Sequence, residues 1–159
     1  MDTDLRFGLG FDAHPRDEDR PLFLGGVRFA GEAGLAGHSD ADVVCHALAD
    51  AFLGAAGLGD IGTHFREGDP ELEGIAGLDL LARVVEMVQG AGLAPVSCDA
   101  VVIAERPAVA PRREEIRAGL GRVLRIPIER VSVKGTRPEG LGLTGDGAGC
   151  LALVVLGPS

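Results

Sequence analysis

Three residues of the kinds that grip a divalent cation stand in the first third of the chain: Asp12, His14 and His46. Asp12 and His14 are one residue apart, and in an extended segment residues i and i+2 point to the same face. A carboxylate and an imidazole so placed can share one ion. His46 belongs to a separate stretch, HSDADVVCHALAD, which runs from His38 to Asp50. There Asp42, His46 and Asp50 recur every four residues and share a helix face. Taken singly, Asp-x-His is a common pair, and a His beside apolar residues is equally a hydrogen-bonded group at the edge of a core. Taken together the three make an Asp-His-His set, whose open fourth position is the arrangement of a catalytic zinc. Asp42 or Asp50 is then placed to orient the His46 ring from behind.

Two further stretches carry chemistry. Gly59-Asp60-Ile61-Gly62 opens a polar loop that reaches Pro70. Asp60 can accept hydrogen bonds from substrate hydroxyls, or it can hold a turn. His64 has no evident partner and reads as solvated. The loop exceeds what a plain connection needs, and such loops are often functional. Lys134-Gly135-Thr136-Arg137-Pro138-Glu139-Gly140 is the other. Its backbone amides, the Thr136 hydroxyl and the cations Lys134 and Arg137 can cradle phosphate oxygens. Glu139 can hold a hard cation bridging those phosphates. An ordinary turn explains the same composition. The order GxxxxGK[ST] is absent, and no helix pattern follows the later glycines, so neither a Walker loop nor a dinucleotide fingerprint is present.

The elements that must position these groups are legible from periodicity. Leu5 to Phe11 reads as a strand ending in Asp12-Ala13-His14-Pro15. Pro21 to Phe29 reads as a hairpin around Gly25-Gly26, and Gly31 to Gly37 as a glycine-rich loop. Ser39 or Asp40 is placed to cap a helix that ends near Gly57. Leu78 to Val88 marks a second helix. Val96 to Ala104 is a strand, and Pro111 suits the first turn of a third helix. Val131 to Lys134 and Cys150 to Leu156 are strands. This order predicts one α+β domain over residues 1–159, with a mixed four-stranded sheet, helices on one face and a small hairpin.

Bulk composition narrows the partners. A net charge of −9 argues against nucleic acid and anionic membrane. An acidic chain that binds polyphosphate must therefore gather positive charge locally, most simply as bound cations. Cys45, Cys98 and Cys150 are scattered and odd in number, which suits reduced thiols in the cytoplasm. No apolar run is long enough for a membrane span. With no Trp and no Tyr, the core must be aliphatic.

GLGFDAHP, GHSDADVVCHALADAFLGAAGLGDIG and KGTRPEGLGLTGDGAG, in that order and spanning nearly the whole chain, resemble the 2-C-methyl-D-erythritol 2,4-cyclodiphosphate synthase family. The resemblance implies a homotrimer with active sites between subunits. It implies cyclisation of 4-diphosphocytidyl-2-C-methyl-D-erythritol 2-phosphate with release of CMP. It assigns Zn²⁺ to Asp12, His14 and His46, with Asp12 and His14 also bordering the substrate. His38 and Ser39 then contact a substrate phosphate, with His38 among the catalytic groups. Asp60, Ile61, Gly62 and Phe65 lie at the methylerythritol. The stretch from Ala104 through Pro107 to Ala110 surrounds cytosine. Thr136, Arg137 and Glu139 lie at the diphosphate, with Mg²⁺ or Mn²⁺ on Glu139, and Leu143 follows.

The chain departs from the family pattern where the family carries Thr at Arg137, Lys at Ala108, Arg at Asp146 and Glu at Ala148. Arg137, placed among the catalytic groups, can offset the missing Lys. Three symmetry-related Asp146 side chains would repel a diphosphate on the threefold axis. Two other readings use the same residues. One is a zinc hydrolase that activates water. The other is a trimeric scaffold that binds a cytidine nucleotide without turnover.

Overall fold

The structure is a computed structural model of the chain, and residues 4–142 and 144–159 are described. Strand β1 covers Arg6–His14, so Asp12 and His14 lie within it. Its sequence alternates large and small: Phe7, Gly8, Leu9, Gly10, Phe11. The small residues face inward. A Cβ on Gly8 would fall 1.9 Å from the Ala51 carbonyl oxygen, and one on Gly10 would fall 2.0 Å from that of Ala47. Only glycine allows helix α1 (Val43–Ala56) to lie this close to β1.

Helix α1 is buried on nearly every side, which its apolar composition requires. It starts later than the sequence predicted. The cap is Asp42, whose Oδ1 accepts the N–H groups of Val44 at 3.1 Å and Cys45 at 3.2 Å. Ser39 and Asp40 precede it in a loop where Ala41 has a φ of 55°. Asp40 instead accepts the Gly77 N–H at 2.8 Å. That bond ties the start of α1 to the start of α3 (Gly77–Gly90). Between them lies the four-residue α2 (Ile61–His64).

The hairpin is longer than predicted. It pairs β2 (Arg16–Leu24) with β3 (Val27–Leu35) as a separate two-stranded sheet. Most of the predicted glycine-rich loop from Gly31 is strand. Its small residues are explained at Gly34, where a Cβ would fall 2.5 Å from the Arg20 and Pro21 carbonyls.

The main sheet adds β4 (Leu93–Ala104), β5 (Val131–Thr136) and β6 (Ala148–Pro158) in the order β1-β6-β4-β5. Only the β4/β5 pair is parallel, bridged by α4 (Arg113–Leu124), so the sheet is mixed as predicted. The helical layer covers one face, over a largely aliphatic core that includes Leu48, Leu81, Leu120 and Val154, with the aromatic Phe52 fully buried. Cys45, Cys98 and Cys150 are buried free thiols. Burial raises all three, Cys98 to about 12. The opposite face of β1 and β6 exposes Phe7 (65%), Leu9 (68%), Phe11, Leu151 and Leu153. No helix among the described residues is long and apolar enough to cross a membrane.

Candidate metal and phosphate site

The close seat of α1 on β1 sets the site. Asp12 and His14 end β1, and His46 lies in the first turn of α1. Asp12 Oδ2 lies 2.9 Å from His14 Nε2 and 3.1 Å from His46 Nδ1. One potential ligand atom from each residue falls within 4.8 Å of the others. The two imidazole rings meet edge to face at 5.7 Å. Two nitrogens converging on one carboxylate oxygen fit a divalent cation, and the N/O donor set suits zinc.

The electrostatics agree with that use. Burial pushes the Asp12 carboxyl up, but hydrogen bonds from His14 and His46 outweigh it and hold it well below the carboxylate range. Burial pulls His46 down, and the Asp12 hydrogen bond and charge more than reverse this. In the absence of metal, His46 therefore holds a proton more firmly than a free imidazole.

Ser39, and not Asp42 or Asp50, stands behind the His46 ring. Its Oγ is 3.0 Å from Nε2. A ring that offers Nδ1 to a cation keeps its proton on Nε2, and Ser39 Oγ is there to accept it. The Asp42 carboxylate is already saturated by four backbone N–H groups, those of Gly25, Gly26, Val44 and Cys45. Asp50 accepts the Ile61 N–H at 2.8 Å, which anchors α2 on α1.

A cleft of about 170 Å³ opens over the cluster. Asp12, His14, His38, Ser39, His46, Ile61 and Phe65 line it. So do Arg66, Glu67 and Asp69, which sequence reasoning left unassigned within the long polar loop. The exposed His38 ring is 3.8 Å from Glu67. Asp60 and Gly62 are not on the cleft wall. Asp60 Oδ1 caps α2 by accepting the Thr63 N–H at 2.8 Å and its hydroxyl at 2.7 Å. That is the turn role weighed above. His64 does have a partner, with Nε2 2.6 Å from the Leu58 carbonyl.

The remaining predicted residues gather elsewhere. A cleft of about 150 Å³ lies at the C-terminal ends of the parallel pair β4/β5. Ala104, Pro107, Ala110, Thr136 and Arg137 line it, together with Ala108 and Arg113. It shares no lining residue with the metal-side cleft. Lys134 is turned away, bonded to Asp99 at 2.6 Å. Glu139 lines neither cleft and sits at a φ of 54°, in the left-handed region. Glu105 joins the two loops of this second cleft by accepting the Gly140 N–H at 2.9 Å. Its only signal was charge, shared with Arg106 beside it, in a loop whose other residues are apolar. Leu143 lies outside the described residues.

A mixed sheet with an Asp-His-His cluster at one end and a glycine-rich loop at the end of a parallel strand pair defines an α+β domain with a candidate metal site. The chain belongs to the YgbB family, whose profile matches residues 5–157. It is 50% identical over 155 residues to the 2-C-methyl-D-erythritol 2,4-cyclodiphosphate synthase of Gloeobacter violaceus, covering 96% of this chain and 95% of that one. The synthase of Salinibacter ruber is 50% identical over 148 residues, 93% and 94% of the two chains. A solved 2C-methyl-D-erythritol-2,4-cyclodiphosphate synthase with CDP bound superposes with a TM-score of 0.88 at 34% identity, covering 95% of this chain and 99% of that one.

Proposed function

We propose that the chain converts 4-diphosphocytidyl-2-C-methyl-D-erythritol 2-phosphate to 2-C-methyl-D-erythritol 2,4-cyclodiphosphate and CMP, a step of non-mevalonate isoprenoid synthesis. The observation that carries this is the convergence of Asp12, His14 and His46 within 4.8 Å, in a chain half-identical along its length to proteins of that name. An oxygen of the 2-phosphate attacks the β-phosphorus. The bond from β-phosphorus to the bridging oxygen breaks, and CMP departs with that oxygen. Several negative charges must meet, so the protein's task is positioning and charge neutralisation.

Asp12, His14 and His46 would hold a divalent ion, zinc by donor type, that offsets the charge of the attacking phosphate. Glu139 would share a Mg²⁺ or Mn²⁺ with the diphosphate. His38 and Ser39 face that phosphate from the loop before α1. Ile61 and Phe65 wall the polyol, with Asp60 and Gly62 shaping α2 beneath it. The backbone from Ala104 through Pro107 to Ala110 surrounds the base. Thr136 and Arg137 take the diphosphate. A guanidinium at Arg137 is well suited to two phosphate oxygens at once.

The two clefts support a site shared between copies. Each copy supplies a metal-side cleft and a nucleotide-side cleft with no residue in common. The exposed apolar face of β1 and β6 gives copies a surface to close on. A homotrimer in the cytoplasm fits both. Turnover with the diphosphocytidyl substrate tests the function. Cyclic diphosphate with CMP is the expected product pair, and simple hydrolysis would point to a zinc hydrolase instead. Sedimentation equilibrium checks the trimer.

A further inference from the structure

We infer that Arg20 is a positioning residue for the metal and phosphate site, acting through the Gly37–Ser39 backbone. Arg20 lies on β2, half-buried, outside both clefts. Its Nη1 donates to the Gly37 carbonyl and its Nη2 to the Ser39 carbonyl. The two carbonyls bracket His38. A rigid planar fork suits two acceptors set along one piece of backbone, where an ammonium would serve as a point charge.

Both ends of the held segment touch a metal-binding side chain. At Gly37 the backbone runs beside His14, close enough that an added Cβ would fall 3.3 Å from His14 Cε1. At Ser39 the side chain meets His46 Nε2 at 3.0 Å. Just before the segment, Ala36 donates to the Pro15 carbonyl at 2.9 Å, and from its other side the segment is tied to the turn before α3. There the His38 carbonyl accepts the Gly74 N–H at 3.0 Å, and the Asp40 N–H donates to the Ile75 carbonyl at 3.2 Å. Arg20 supplies the opposing grip from the hairpin. With both grips in place the segment cannot slide, so His38 is aimed and the backing of both imidazoles is fixed together. Without Arg20 the Gly37 and Ser39 carbonyls lose that grip.

The metal arm of this inference stands on the cluster alone, and the turnover arm rests on the proposed function. Zinc affinity is measured by competition with a chromogenic chelator for the parent chain, Arg20→Met, Arg20→Lys, Ser39→Ala and the double variant Arg20→Met/Ser39→Ala. Arg20→Met is expected to weaken zinc about tenfold, the low end for groups that orient metal ligands. Arg20→Lys should recover part of the loss. Because Arg20 acts through Ser39, the double variant should lose clearly less than the product of the two single effects. Parent-like zinc affinity in Arg20→Met, or losses that simply multiply in the double variant, would overturn the inference. Should Arg20→Met not fold, Arg20→Lys and Arg20→Gln are read in the same way, and parent-like affinity in both overturns it. A parent chain that binds zinc but does not turn over the diphosphocytidyl substrate would defeat the proposed function and leave this inference standing.

Discussion

The two clefts differ in what holds their residues. At the metal side each key group has fixed neighbours: Asp12 is bridged by two histidines, His46 is backed by Ser39, and α1 rests directly on β1. At the nucleotide side Arg137 and Glu139 are exposed, and one carboxylate, Glu105, joins the loops. The first cleft is preorganised by burial and hydrogen bonds. The second has a buried apolar floor, Val102, Ala104 and Val109, with Arg137 exposed at the rim. Substitutions should therefore act on chemistry at one end and on binding at the other.

The largest effect is expected at the metal side. Asp12→Ala removes the oxygen on which both imidazoles converge. Zinc should be lost from the purified protein, and kcat should fall by about 10³, the scale of removing a fixed electrostatic stabiliser. A variant that keeps its zinc and its kcat would break the comparison. At the nucleotide side Arg137→Thr should raise KM about tenfold, equal to about 1.4 kcal/mol, and leave zinc content unchanged. A purely kcat effect would move Arg137 into the chemistry of the transfer.

The pH response of the metal-free chain sharpens the same contrast. His46 is raised in the fold, so its contribution to stability is complete below its ordinary 6.5 and is lost as pH rises through the raised value. Asp12 is lowered, so its contribution is present above its ordinary 3.8 and is lost as pH falls toward the folded value. After chelation, the thermal midpoint should fall on both sides of that window. Added zinc should remove the alkaline decline, because the metal replaces the proton. The smallest effect belongs to Lys134. Its pair with Asp99 is half-exposed on both sides. Lys134→Ala should therefore change stability by less than about 1 kcal/mol and leave KM unaltered, as checked by urea titration and steady-state kinetics.

Sequence reasoning reached the Asp12, His14 and His46 cluster in two parts, each visible in spacing, and the family resemblance joined them. A two-residue step on a strand and a helix register are local properties. It missed the orienting partner because Ser39 reaches His46 across a loop whose path is set by Ala41 at positive φ and by bonds to Gly74 and Ile75. The helix cap was misplaced for a related reason. Asp42 serves two masters, the first turn of α1 and the Gly25-Gly26 turn, and the second is invisible to local pattern. Lys134 looked like a phosphate ligand, but the parallel register sets it opposite Val101, from where its side chain reaches diagonally to Asp99. The mixed four-stranded sheet and the helical layer were legible because the order of apolar periodicities implies them, whereas the strand order is set by long-range pairing that local pattern does not carry.

Gly8 and Gly10 act as the zero setting of a gauge. They fix the gap between helix and strand, and that gap is also the jaw between His46 and Asp12. A single methyl at Gly8 would fall 1.9 Å from a helix carbonyl oxygen, and one at Gly10 would fall 2.0 Å from another, so strand and helix would have to part. The jaw would open and the core would be strained with it. Zinc affinity and the thermal midpoint thus become two readings of one gap, and they should fall together.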